Sequence, residues 1–374
     1  MLEVMTVLGI ETSCDETAAA VVVDGRQLLT NVVASSMDLH AQYGGVVPEI
    51  AARSHIESIM PVIQQALDEA FPALVDANDL AGRSQQWKQI DAIAVTYGAG
   101  LGGSLLIGVL TARTLAIAYN KPLYAVNHVE GHLYANFLIE TTLPGYSLPA
   151  TQPEFPMLGL IVSGGHSQLV IFRSHFDYSL LGQTHDDAIG EAFDKVAKII
   201  GLPYPGGPSV SQKALDGEPR AFELPKAKMS GKYDFSFSGL KTAVLRLAQQ
   251  QIGEDFTFPS TEIAKRLSEP QKANIAASFQ RVAIETVVDK TVLAFQEYLP
   301  RSVVIGGGVA SSPELRRQLS QRLSGLLEKP ILYTDPKLCT DNGAMIAALG
   351  CFQAVHHQPV ANPYTLDIAP NLCM

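Results

Sequence analysis

Two histidines four residues apart, in the run Asn127-His128-Val129-Glu130-Gly131-His132, are the first residues here whose types and spacing could do chemistry. On a helix, positions i and i+4 share one face with Cβ atoms about 5–6 Å apart, close enough for two imidazoles to hold one metal ion. Glu130 follows His128 by two positions, about 200° round such a helix, so it points away from that ion. The pattern is therefore not His-Glu-x-x-His, whose glutamate must reach the metal-bound water of a zinc protease. A bare His-x-x-x-His pair also occurs as two ordinary packed histidines, so the rest of the chain has to decide.

A third ligand is available in Cys339-Thr340-Asp341-Asn342-Gly343-Ala344, which runs into an apolar helix. Asp341 either caps that helix or gives an oxygen to the histidine pair, leaving coordination positions open for substrate. Cys14 stands in the polar turn Glu11-Thr12-Ser13-Cys14-Asp15-Glu16-Thr17, but no partnered histidine is identifiable, so it does not read as a nucleophile.

The elements that must position these residues alternate between strand and helix. Short β-branched or apolar runs at 6–10 and 18–23 flank the polar turn, and runs at 157–162 and 168–172 flank Ser163-Gly164-Gly165-His166-Ser167. Both read as strand–turn–strand hairpins, a repeat of architecture that predicts two related lobes. Each turn can offer backbone N–H groups and hydroxyls to an anion. Helical stretches are expected at 47–70 and 104–119, with a strand at 90–95 before the loop Gly98-Ala99-Gly100-Leu101-Gly102-Gly103. This alternation implies an α/β protein with helix-covered sheets. Residues 143–156 carry Pro144, Pro149, Pro153 and Pro156 and read as an exposed connection. The expected lobes are 1–142, rejoined by a C-terminal helix at about 341–374, and 143–340. A further strand at 302–305 ends in Gly306-Gly307-Gly308, and Ser311 or Ser312 then caps a helix with Pro313 in its first turn. That strand, glycine turn and helix N-terminus form a cradle for a nucleotide. The absence of GxGxxG favours a mononucleotide or adenylate over a dinucleotide.

Composition sets the limits. A chain of 374 residues, 47% hydrophobic and 17% charged, suits a two-domain compact enzyme rather than a disordered chain. The longest apolar stretch, 104–119, is interrupted by Thr111, Arg113 and Thr114 before it reaches the ~20 apolar residues of a membrane span. The first eleven residues carry neither a basic region nor a cleavage site. No membrane association is expected, and the location expected is cytoplasmic. Four cysteines without a CxxC pair read as reduced thiols. A net charge of -10 argues against strong general affinity for nucleic acid. Between 195 and 246, nine basic residues against four acidic ones give a local balance of +5, which reads either as a solvated face or as an RNA footprint.

Taken together, these segments resemble the tRNA adenosine threonylcarbamoyltransferase family, its bacterial TsaD branch, once labelled O-sialoglycoprotein endopeptidase. The resemblance rests on residues 10–17, Tyr43-Gly44-Gly45-Val46-Val47-Pro48-Glu49, the run 128–132, residues 162–166, Gly190-Glu191-Ala192-Phe193-Asp194-Lys195, Tyr204-Pro205-Gly206-Gly207-Pro208, Phe235-Ser236-Phe237-Ser238-Gly239-Leu240-Lys241-Thr242 and 339–344. They stand in family order across most of the chain. The resemblance implies a two-lobed actin-like, sugar-kinase-like (ASKHA) fold with a duplicated core and an interlobe nucleotide cleft. It implies transfer of threonylcarbamoyl from threonylcarbamoyl-AMP to N6 of the adenosine 3′ of the anticodon, in tRNAs reading ANN codons, with release of AMP. His128, His132 and Asp341 would hold one divalent metal, Fe2+ or Zn2+. Ile161, Val162, Ser163, Gly164 and Gly165, with Asp194 and Gly207, would bind the adenylate. The partners implied are tRNA, a TsaB-like paralogue and a TsaE-like ATPase.

An adenine amine is a weak nucleophile, so a carboxylate accepting its proton would help, and Asp15 and Glu16 are the candidates; turn formation and capping are their alternative roles. Ser312 stands where the family usually has an asparagine at the adenosine portion, and Ser211 where many relatives carry aspartate. Ala99 and Asn127 replace a common proline and histidine. Three other readings compete: a metalloprotease, which the placement of Glu130 opposes; a silent assembly subunit, expected to lose metal ligands; and a small-molecule kinase, supported by fold only.

Overall fold

The computed structural model describes residues 4–74, 80–327 and 331–374. The chain divides into two compact units, one running to Pro153 and resuming at Leu332, the other Glu154–Ile331.

The first unit contains β1 (Thr6–Glu11), β2 (Glu16–Val23), β3 (Gln27–Ser35), α1 (Met37–Ala41), α2 (Pro48–Ala70), α3 (Leu80–Lys88), β4 (Ala92–Gly98), α4 (Gly102–Tyr119), β5 (Leu123–Asn127), α5 (His128–Tyr134) and β6 (Glu140–Thr141). The second contains β7 (Met157–Val162), β8 (Ser167–Ser174), β9 (Asp177–Gln183), α6 (Ile189–Ile200), α7 (Gly206–Ala214), α8 (Ser238–Gln251), α9 (Ser260–Arg266), α10 (Glu269–Tyr298), β10 (Ser302–Gly306) and α11 (Pro313–Leu323). The chain then returns to the first unit as α12 (Gly343–His356).

The sheets repeat one plan. In the first, the order is β5-β4-β1-β2-β3-β6; in the second it is β10-β7-β8-β9. Each has a three-stranded antiparallel meander whose first strand pairs in parallel with a later strand, β1 with β4 and β7 with β10. The expected α/β class and duplicated core are therefore present, as an actin-like, sugar-kinase-like arrangement.

β1, β4 and β7 are buried along almost their whole length and read as continuous apolar runs, as strands covered on both faces do. α12 is apolar all round and packs on β1 and β2. Gly9 permits this, since a Cβ there would lie 2.4 Å from Ala347 N. That close approach brings the N-terminus of α12, and Asp341 before it, up to the β1–β2 turn. The stretch 104–119 lies within α4, which is long and apolar enough to cross a membrane by composition, yet buries Leu105, Val109, Ala112 and Leu115 in the first unit.

Candidate active site

His128 and His132 occupy the first and second turns of α5, which begins directly after β5. Asn127 caps it by accepting from Val129 N at 2.9 Å, so the asparagine before the histidine pair serves as a helix cap. Both histidines are buried, at 7% and 1% exposure. His132 Nε2 lies 3.3 Å and His128 Nε2 3.6 Å from Asp341 Oδ1. One donor atom from each of the three residues can be chosen so that all lie within 4.8 Å of one another. Neither ring nitrogen of His132 makes a hydrogen bond. Buried imidazole nitrogens rarely go unsatisfied, and a cation held beside Asp341 is the partner that suits Nε2, the nitrogen facing it. Hence the three residues fit a divalent metal.

Asp341 has the freedom to face the histidines because Asn342, not Asp341, caps α12. The Asn342 amide oxygen accepts from Met345 N at 2.9 Å, and its Nδ2 donates to the carbonyls of Leu338 and Thr340.

Glu11, given no role of its own in the polar turn 11–17 read from the sequence, ends β1 and holds His128 from behind. Its Oε2 lies 3.2 Å from His128 Nδ1, and its carboxylate accepts from Ser13 N and Thr96 Oγ1. A carboxylate on Nδ1 orients the ring and leaves Nε2 available as a ligand. Burial alone would raise the Glu11 pKa, but the charge and hydrogen bond of His128 outweigh it and hold it below the ordinary value. Burial likewise opposes the charged form of His128, yet Asp341 and Glu11 lift it to about 9. No sequence signal pairs Glu11 with a residue 117 positions away.

Asp15 and Glu16 follow on the same turn. Burial, then the charges of Asp341 and Asp15, push the Glu16 pKa up to about 10. A cation held at Asp341 would relieve part of that shift. Burial and the same carboxylates push the Cys14 thiol far up, which keeps it protonated and removes it as a nucleophile. Glu130 is buried, its pKa raised to about 7 by burial, and it stands outside the ligand group.

In the second unit, Ile161 and Val162 end β7 fully buried, and Ser163, Gly164 and Gly165 form the turn into β8. Ser163 N donates to His166 O at 2.8 Å and Ser163 Oγ accepts from His166 N at 3.0 Å, fixing the turn. Gly164 and Gly165 are exposed, with open space where a Cβ would stand. Two glycines close on this turn. Gly190 N donates to Ser163 O, and a Cβ on Gly307 would lie 2.5 Å from Val162 O. Asp194 Oδ1 accepts from Gly206 N at 2.6 Å, at the start of the helix bearing Gly207 and Ser211. Burial raises the Asp194 pKa despite that hydrogen bond. Ser312 caps α11, accepting from Leu315 N. The motif 235–242 is gathered by Asp186, absent from the sequence candidates, which accepts from Ser236 Oγ, Ser238 Oγ and Phe237 N.

The basic run 195–246 is mostly neutralised. Lys195 and Lys241 share Asp187, Lys213 pairs with Glu269, Lys226 with Glu285 and Asp289, and Lys232 with Glu297. Partners from outside the run, such as Glu269 and Asp289, account for much of this, so the local count overstates the available positive charge.

Residues 27–348 match the model of the TsaD family, tRNA N6-adenosine threonylcarbamoyltransferase. A protein of that name from Thermomicrobium roseum is 48% identical over 94% of this chain and 92% of its own. Another from Symbiobacterium thermophilum is 49% identical over 92% and 91%. Among solved structures, HypF of T. kodakarensis superposes with a TM-score of 0.54 at 13% identity, over 94% of this chain and 48% of that one, a likeness of fold alone. The chain belongs to the tRNA N6-adenosine threonylcarbamoyltransferase family.

Proposed function

We propose that this chain transfers the threonylcarbamoyl group of threonylcarbamoyl-AMP to N6 of the adenosine 3′ of the anticodon in tRNAs reading ANN codons, with His128, His132 and Asp341 holding Fe2+ or Zn2+. The observation that carries the reading is the His-His-Asp group with its two buried histidines and no hydrogen bond to either ring nitrogen of His132. The donor is a mixed carboxylic–phosphoric anhydride and already activated. N6 attacks its carbonyl carbon, the bond from that carbon to the phosphate oxygen breaks, and AMP departs as the amine loses a proton. A bound metal with open positions supplies Lewis-acid stabilisation of developing negative charge. Asp15 or Glu16 accepts the proton. The turn 161–165 with Asp194, Gly207, Ser211 and Ser312 binds the adenylate, its glycines letting backbone N–H groups approach the phosphate.

The acidic chain, with most of its basic run internally paired, needs help to hold tRNA. A TsaB-like paralogue and a TsaE-like ATPase are the helpers we infer, and the setting is cytoplasmic. One surface supports a protein partner. α2 and α4 pack side by side, and Ile56, Met60, Leu106, Leu110 and Ile117 stay exposed on them, an apolar patch that soluble proteins usually cover.

The test is transfer from threonylcarbamoyl-AMP to unmodified tRNA, with partners present, comparing wild type with His132→Ala and Asp341→Ala and counting bound metal. Activity that collapses together with metal in both variants supports the reading. Variants as active as wild type would remove the metal from it. An inactive, metal-loaded wild type with its partners would leave a silent assembly subunit.

A further inference from the structure

Two buried histidines outside the metal group hold the first turn from behind. His55, on α2, has no exposed surface. Its Nδ1 lies 2.8 Å from Thr17 Oγ1 and its Nε2 3.0 Å from the Cys14 carbonyl oxygen. A carbonyl oxygen only accepts, so Nε2 carries the proton and Nδ1 accepts from the Thr17 hydroxyl.

His40, on α1, is equally buried. Val47 N–H donates to its Nδ1 at 3.2 Å, which places the proton on Nε2, 3.1 Å from Ser36 Oγ. Ser36 gives its own hydroxyl proton to the Asp15 carbonyl at 2.8 Å and its N–H to the same oxygen at 3.1 Å. Each donor in this relay is therefore determined: Val47 N–H to His40, His40 Nε2–H to Ser36, Ser36 O–H to Asp15. The consecutive carbonyls of Cys14 and Asp15 are thus each fixed by an imidazole, one directly and one through a serine. Ser104 Oγ adds a second donor to Cys14 O at 3.2 Å. Burial holds the His55 pKa below its ordinary value, in keeping with a neutral ring.

We infer that His55 and His40 are positioning residues for transfer, fixing the peptide units from which the Asp15 and Glu16 carboxylates project. The inference rests on reading those carboxylates as proton acceptors. A histidine that merely filled volume would be replaced well by an apolar residue of similar size. These two have both ring nitrogens committed in defined directions, so the hydrogen bonds matter as well as the shape.

The experiment compares His55→Leu, His55→Gln and Ser36→Ala with Asp15→Asn and Glu16→Gln in the transfer assay. Bound metal and the unfolding midpoint are measured for each. A slight displacement of catalytic groups costs up to about a hundredfold in rate. His55→Leu is expected to lower kcat by ~10–100-fold, with KM for threonylcarbamoyl-AMP and metal content as in wild type. His55→Gln, whose amide can still donate to Cys14 O, should recover most of that loss. Ser36→Ala removes one hydroxyl and little volume, so it serves if His55→Leu fails to fold; a ~3–10-fold fall in kcat is expected. The inference is overturned if folded, metal-loaded His55→Leu or Ser36→Ala keeps wild-type kcat while Asp15→Asn or Glu16→Gln is impaired. It is also overturned if His55→Gln is no better than His55→Leu. Wild-type kcat in both carboxylate variants would instead defeat the proton-acceptor reading, and the positioning role with it.

Discussion

The β1–β2 and β7–β8 turns stand at the same place in two copies of one sheet plan, yet their chemistry is opposite. In each unit, the parallel neighbour of the meander's first strand is followed by a glycine that abuts the turn. A Cβ on Gly100 would lie 2.6 Å from Ser13 O, and one on Gly307 2.5 Å from Val162 O. The frame is shared; the turn residues are not. The first turn carries Asp15 and Glu16 after the buried Glu11 and leans on four polar side chains, His128, His55, Ser36 and Ser104. The second is serine and glycine, open where side chains would stand. A turn crowded with carboxylates needs cations and donors to hold it, whereas a bare turn has N–H groups to spare for an anion. On the reading proposed above, the duplicated frame would serve a cation in one copy and a phosphate in the other.

Removing what holds the charged turn should give the largest effect. Glu11→Ala takes the carboxylate from behind His128, and loss of such a partner typically weakens a metal site ~10–100-fold. Chelator competition on purified variant and wild type measures this, with transfer at limiting metal falling in parallel. Metal affinity equal to wild type would mean that Glu11 only fills the core, and the contrast between the turns would lose its physical basis.

The next effect is on pH. In the metal-free chain, burial disfavours charge on His128, but Asp341 and Glu11 lift its pKa from 6.5 to about 9. A raised pKa means the folded chain binds the proton more tightly than the unfolded one. The resulting stability is fully present below pH 6.5 and is lost as pH rises through about 9. A metal must displace that proton, so affinity should climb by up to ~10-fold per unit as pH rises toward the folded pKa. Metal titrations between neutral and alkaline pH, at constant ionic strength, read this slope. A flat profile would show that His128 is already neutral before metal binds.

The open turn gives a smaller and separable effect. Gly307 has φ +91° and no space for a Cβ, so Gly307→Ala should cost ~1–3 kcal/mol of stability. It should also raise KM for threonylcarbamoyl-AMP while leaving bound metal unchanged. Thermal unfolding, kinetics and metal analysis on one preparation test all three. A loss of metal in this variant would contradict the assignment of separate tasks to the two turns.

How much of this was legible in the sequence depended on distance along the chain. Hairpins, helices and the His128–His132 pair are local patterns, and most strands and helices formed within a few residues of their expected limits. The C-terminal helix, expected over about 341–374, instead ends at His356, where the apolar run gives way to His357-Gln358-Pro359. Asp341 and Asn342 were harder to separate, because either side chain can cap a helix and only the fold decides which one turns toward the histidines. Glu11 and Asp186 were missed for another reason. Their partners lie 117 and about 50 residues away, and no periodicity encodes such a pairing. His55 was hidden inside an amphipathic helix, where a buried polar residue gives no sign of what it faces. The basic run misled in the same way, since acids such as Glu269 and Glu297 reach it from α10.

The smallest effect expected is at residue 312, where the chain departs from the family pattern. Ser312 already caps α11, and asparagine caps about as well, so Ser312→Asn should shift stability by less than ~0.5 kcal/mol. The substitution adds an amide donor and acceptor at the position the family pattern assigns to the adenosine portion. One added hydrogen bond is worth about 0.5–1.5 kcal/mol, so KM for threonylcarbamoyl-AMP should fall by ~2–10-fold with kcat unchanged. An unchanged KM in a folded variant would mean that residue 312 does not meet the donor. Recognition by the second unit would then rest on the bare turn and its glycines, which sharpens the contrast with a first turn that works through its side chains.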